Sequence, residues 1–178
     1  MTAKVTEEPR IDAEITTVEM VFRLIPLLVL LGTGAMGAIV VLNNITAPGA
    51  NMSFVEHIMT MDTTKIDKGT QWRAIRSPIL HRIAFVTILI LEVAVTVLSL
   101  VGSYYLAANL GAPVEAWEAA KLFGYLGFMA ALVVWFLVIQ VVGAEWFVSW
   151  QSESWNAIRD STRINLITLA GIILLRLA

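Results

Sequence analysis

The stretch IAFVTILILEVAVTVLSLVGSYY, Ile83 to Tyr105, decides the fold. At 1.5 Å per residue it is long enough to cross a ~30 Å hydrocarbon core as one α-helix. Its only charge is Glu92. Counted from Ile83, that carboxylate falls roughly 13 Å into the span, near its middle. Placing it there costs at least ~2.5 kcal/mol on insertion scales, so it calls for a buried partner or a task.

The rest of the chain has the same character. Of 178 residues, 58% are apolar and 15% charged, against a globular norm of about half and a quarter. Runs of ~20 apolar residues recur along the length, which points to an all-α polytopic membrane protein. The first run has no small-residue cleavage site and follows an acid-rich stretch, so it is expected to be a retained span and not a signal peptide. With no cysteine there are no disulfides, thiolate metal sites or iron–sulfur clusters. Net charge is −2 with no basic block, so no nucleic-acid partner is expected.

Residues 1–15 read as a polar, disordered N-terminus, and 16–178 as one membrane domain. Thr16-Thr-Val-Glu19 matches a capping box that starts a helix. Pro26 either kinks that helix or marks its entry into the membrane, and Arg23 is placed to snorkel to headgroups. Gly34 and Ala38, with Gly37 alongside, would let a second helix approach closely. Asn43, Asn44, Pro48 and Gly49 end the first span. Ser53-Phe-Val-Glu56 matches a second capping box, predicting a short helix from Phe54 to Met61 with Phe54, Ile58 and Met61 on one face. Ser77-Pro78 opens the second span and Ala112-Pro113 the third. Gly124 and Gly127 suit close packing in the third. A last helix begins amphipathically after Ser154.

The expected architecture is a four-helix transmembrane bundle, with spans about 22–43, 81–105, 121–143 and 162–177. A loop and short helix, residues 44–78 and 144–160, would cap one face. Four spans put both termini on one side. Charge gives a near tie on orientation. Lys4, Arg10, Arg23, Lys121 and Arg176 fall on the terminal side. Lys65, Lys68, Arg73, Arg76, Arg82, Arg159 and Arg163 fall opposite. Because the first helix usually dominates, the termini are read as cytoplasmic.

Glu92 has company. His81, Thr96, Ser99 and Ser103 project on the same side of a 3.6-residue helix. This stripe reads either as a proton, ion or ligand path, or as hydroxyls bonded to helix carbonyls with a protonated Glu92 tied to a neighbouring span. Gln140, Asp160 and Asn165 are the expected partners. His57 and His81, with Glu56, Asp62, Glu92 and Glu145, offer ligands for a metal, and two histidines could hold haem. None forms a tight helical pair with another strong ligand. Trp146, Trp150 and Trp155, with Glu145, Gln151 and Asn156, form an aromatic belt at the bilayer surface, a pocket for quinone or lipid, or a docking surface. Trp146 and Trp150 would share a helix face, and Trp72 suits the interface. No Ser/His/Asp set, Gly-rich phosphate loop or HExxH points to an enzyme.

The blocks LNNITAPGANMSFVEHIMTMDTT, then WRAIRSPILHR with Glu92 in the span that follows, then VVGAEWFVSWQSESWN, carry a resemblance. The chain resembles a bacterial family of predicted small integral membrane proteins, domain of unknown function 2165, over almost all of its length beyond the acidic N-terminus. The likeness implies a multi-pass inner-membrane protein and no particular activity. Three roles stay open. The first is an accessory or assembly subunit of a larger membrane complex, or a homo-oligomer. The second is a proton, ion or transport module using Glu92 and His81. The third is a redox subunit with haem, metal or quinone.

Overall fold

A computed structural model describes residues 15–64 and 68–178; the expected polar tail lies outside them apart from Ile15. Helix α1, Thr17–Thr46, starts on the capping box read from sequence. The Glu19 backbone N–H donates to Thr16 Oγ1 (3.2 Å) and the Thr16 N–H donates to Glu19 Oε2 (2.8 Å). The helix runs through Pro26 without ending. After the Ala47-Pro48 turn, α2 occupies Gly49–Thr60. Helix α3, Pro78–Ala108, opens on Ser77, whose hydroxyl accepts from the Leu80 N–H. A short α4, Val114–Ala120, leads into α5, Leu122–Leu132, which widens into a π segment over Val133–Trp146. Helix α6 spans Ile158–Leu177.

The second capping box is not used. Helix α2 begins five residues before Phe54, because Pro48 presents a fixed φ suited to a first turn, and Ser53 falls inside the helix. Its expected inner face is real: Ile58 and Met61 are buried with Phe147 and Val148, and Phe54 packs against them. The last helix starts at Ile158, so Trp155 lies outside it.

Three helical stretches are long and apolar enough to cross a membrane: Thr17–Thr46, Pro78–Ala108 and Val114–Trp146. The fourth expected span falls within α6, which packs against α1, α5 and the π segment. Arg159, Asp160, Arg163 and Arg176 confine its uncharged part to residues 164–175, about 18 Å of helix. That is short of the ~30 Å core, so α6 is a bundle member without the signature of a full span.

Close approach of α1, α3 and α5 is made by small residues. A Cβ at Gly102 of α3 would lie 2.7 Å from the Gly124 backbone nitrogen of α5, and one at Gly127 would lie 2.7 Å from Ser99 Oγ. Towards α1, a Cβ at Gly37 would meet Thr96 Oγ1 at 2.6 Å. In lipid no hydrophobic drive separates helix–helix from helix–lipid contact, so packing at this range is what holds such helices together.

The π segment was not foreseen. Buried residues along it fall at Val134 and Trp135, then at Gly143 and Ala144. That spacing fits two wide turns and not the 3.6-residue period, and the Phe147 N–H closes the run by donating five residues back to the Val142 carbonyl (3.1 Å).

Gly102→Leu would drive a side chain into the α5 backbone. We expect a loss of about 1–3 kcal/mol in detergent-monitored unfolding, whereas Gly32→Leu, whose Cβ position meets nothing within 4 Å, should leave the unfolding midpoint unchanged.

Candidate functional site

The intramembrane acid has a partner, and it comes from α1. Glu92, 7% exposed, accepts a hydrogen bond from Asn44 Nδ2 at 2.6 Å on its Oε2. The Asn44 carbonyl oxygen accepts in turn from Asn51 Nδ2. One relay therefore links α3, the last turn of α1 and the first turn of α2. Glu92 lies midway along α3, as read, but level with the end of α1. The chain above that level is α3 overhanging α1, with α2 filling the space beside it.

Asn44 sits seven residues beyond Gly37, which is itself seven beyond Leu30 and fourteen beyond Arg23; all four are buried. That heptad spacing marks one face of α1 and was the available signal for Asn44, which the sequence reading used only as a helix stop. The expected partners do other things. Gln140 Nε2 donates to Thr162 Oγ1 at 2.6 Å. Asp160 faces Arg163 at 3.7 Å on the surface. Asn165 is buried, yet neither atom of its amide has a partner.

Below Glu92 the stripe closes. Thr96 Oγ1 donates to the Glu92 carbonyl and Ser103 Oγ to the Ser99 carbonyl, each at 2.8 Å, while Ser99 Oγ is buried with no partner against Gly127. These hydroxyls are consumed within their own helix or sealed by glycine contacts. Above, His81 Nε2 lies 2.8 Å from the Ile75 carbonyl and is not linked to Glu92.

On the open side of Glu92 is a cavity of about 290 Å³. Asn43, Asn44, Asn51, Glu92, Asp160 and Ser161 give it a polar side, and Phe54, Phe85 and Trp135 an aromatic one. Glu92 Oε1 takes no hydrogen bond from any described residue. A second cavity of about 290 Å³, almost wholly apolar, lies under α2 and shares Phe54, Val55, Ile88 and Ile139 with the first.

The histidines do not come together. His57 Nδ1 pairs with Asp62 Oδ2 at 2.7 Å, and its ring stacks on Trp155 at 4.5 Å. Among the described residues no three His, Asp or Glu side chains gather as a metal site. Glu56 is exposed on α2 and Glu145 on the π segment.

Trp146 and Trp150 do not share a helix face, because the helix ends at Trp146 and Val148 turns left-handed (φ 48°). Trp146 instead meets Trp72 edge-on, ring centroids 5.9 Å apart, and the Arg73 guanidinium lies over both rings, 4.9 Å from Trp146 and 5.5 Å from Trp72. Trp150 is half exposed, and its carbonyl accepts from Asn156 Nδ2. Gln151 lies in the short turn Ser149–Gln151.

At the opposite end, Arg23 is not a snorkelling residue. It is 4% exposed and its Nη1 donates to the carbonyls of Leu110 (3.1 Å) and Ala112 (2.6 Å), with the guanidinium 4.9 Å over Trp117. Those carbonyls lie just past the end of α3, where a cation is favoured. Lys121, also buried, pairs with Glu118 at 2.6 Å.

Three long apolar helices held by glycine contacts and buried polar pins define an integral membrane protein. The chain belongs to the family of predicted small integral membrane proteins, DUF2165, whose model matches residues 22–178. No curated protein and no solved structure matches it.

Asn44→Ala removes the donor to Glu92 and the acceptor for Asn51 at once, and should destabilise by about 1–3 kcal/mol. Glu92→Gln keeps an oxygen for Asn44 and should cost clearly less; the reverse order in detergent unfolding would refute the relay. Asn165→Leu, removing a buried amide without partners, should leave stability unchanged or raise it.

Proposed function

We propose that this protein is a non-catalytic component of the bacterial inner membrane. It would act as an accessory or assembly subunit that docks a larger membrane complex through its capped face. In this reading α6 completes a four-span bundle, and both termini lie on the cytoplasmic side. The observation that carries the proposal is the Trp72–Arg73–Trp146 clamp. Trp72 is 72% exposed and Trp146 46% exposed, yet both are fixed in place by one guanidinium that also donates to the Trp146 carbonyl at 3.2 Å. Exposed tryptophans with an ordered arginine are the composition of interface hot spots, and their rigidity lowers the entropy lost on docking.

The closed stripe favours binding over conduction. A proton or ion path along α3 would need polar groups free to exchange partners below Glu92, and the hydroxyls there are bonded to their own helix or sealed by glycine contacts. The redox alternative draws no support from the histidines, which take separate partners.

Co-purification in a mild detergent from the native membrane tests the docking role. The wild-type chain should carry a stoichiometric partner, and Trp72→Ala with Trp146→Ala should lose it while remaining folded. A chain that runs alone at native expression would remove the reading, and one that runs only with itself would replace it by a homo-oligomer. Proton flux in liposomes should be equal for the wild type and Glu92→Gln.

A further inference from the structure

The cavity beside Glu92 has a chemistry of its own. Its wall carries one carboxylate, Glu92, buried and with no hydrogen bond to Oε1 from the described residues, and a second at Asp160, exposed and paired with Arg163 at 3.7 Å. Among the described residues no Lys, Arg or His lines it. An anion would therefore meet a carboxylate with nothing to offset it. A small divalent ion would need several hard oxygens in one place, and no three acidic or histidine side chains gather among the described residues. The remaining walls, Phe54, Phe85 and Trp135, are aromatic, and ring faces attract a cation that has shed its water.

We propose that this cavity binds an organic cation: an ammonium group on an apolar body. The charge sits against Glu92 Oε1, and Asn44 holds the other carboxylate oxygen and so fixes the side chain. The asparagine relay sets the carboxylate in place before the ligand arrives, which lowers the cost of binding. The apolar body lies along the aromatic wall, and the neighbouring apolar cavity under α2 extends the room for a longer chain. About 290 Å³ is at the small end of ligand pockets, which suits one ammonium head with a ring or short chain. A free amine and an aminophospholipid headgroup present the same cation. This site is independent of the docking surface and would stand if that surface had no partner.

Calorimetric titration of the purified chain in a neutral detergent tests it, with benzyltrimethylammonium as the probe and benzenesulfonate as an anion of similar size. The cation should bind saturably and the sulfonate should not. Glu92→Gln, which keeps the hydrogen bond from Asn44, should weaken the cation about tenfold or more. Ile164→Trp, which fills the cavity from α6 with Glu92 intact, should abolish binding. Equal binding of both probes, or an unchanged affinity in Glu92→Gln, would overturn the proposal, as would saturable binding in Ile164→Trp. Repeating the titration in nanodiscs of phosphatidylethanolamine or phosphatidylglycerol separates the two sources. Competition by the amine lipid alone assigns the site to a headgroup, and equal affinity in both lipids assigns it to a free amine.

Discussion

The hydrogen bond from Asn44 to Glu92 fixes how α1 lies on α3, and most of the fold depends on that register. It is one of two polar pins on the same face of α1. The other is Arg23, bonded to the carbonyls just beyond the end of α3. The two pins are 21 residues apart, roughly 31 Å of helix, and Leu30 and Gly37 lie between them on the same face. A buried polar group in an apolar medium is costly without its partner, so sliding α1 by one turn would break both pins together. Polar pins of this kind specify an arrangement that apolar contact alone leaves degenerate, because lipid tails and leucines are equivalent neighbours.

Once α1 and α3 are in register, the glycines find their opposites. Gly37 of α1 meets Thr96, and Ser99 and Gly102 meet Gly127 and Gly124 of α5. These contacts draw α5 onto α3 and close the polar stripe below Glu92. Above that level α5 widens into its π segment and α1 gives way to α2. The helices can no longer pack as tightly there, and the polar and apolar cavities open in that space. The same bond that locks the bundle thus defines the floor of the acidic cavity. Structural and functional readings of Glu92 are compatible, because its two carboxylate oxygens have different surroundings.

Much of this was legible in the chain. The apolar runs gave the membrane class, and Thr16–Glu19 and Ser77-Pro78 set helix starts that the structure reproduces. Gly34, Gly37, Gly124 and Gly127 were readable as contact positions because small residues have one evident use in lipid. The stripe from His81 to Ser103 was correctly placed on one face, four of its five residues being buried and Thr96 partly so. Other readings failed for local reasons. Pro48 overrode the capping signal at Ser53. The end of the helix at Trp146 and the left-handed turn at Val148 took Trp146 and Trp150 off a common face. Arg23 was given to headgroups because carbonyls 87 and 89 residues away were invisible.

The sequence by itself determined what each residue needs: Glu92 a partner, glycines a neighbouring backbone, and tryptophans an apolar body with a polar edge. Composition and period settle such needs, because they depend only on side-chain chemistry and helix geometry. Only the tertiary structure decided who meets them. Asn44, and not Gln140, Asp160 or Asn165, reaches Glu92, and Trp72 and Arg73, from the distant 3₁₀ turn Lys68–Arg73, hold Trp146. Pairing across helices depends on relative axial position, and an apolar run encodes that position too weakly to read, since every sliding register buries similar surface. The few polar contacts that discriminate among registers become visible when the helices are laid side by side.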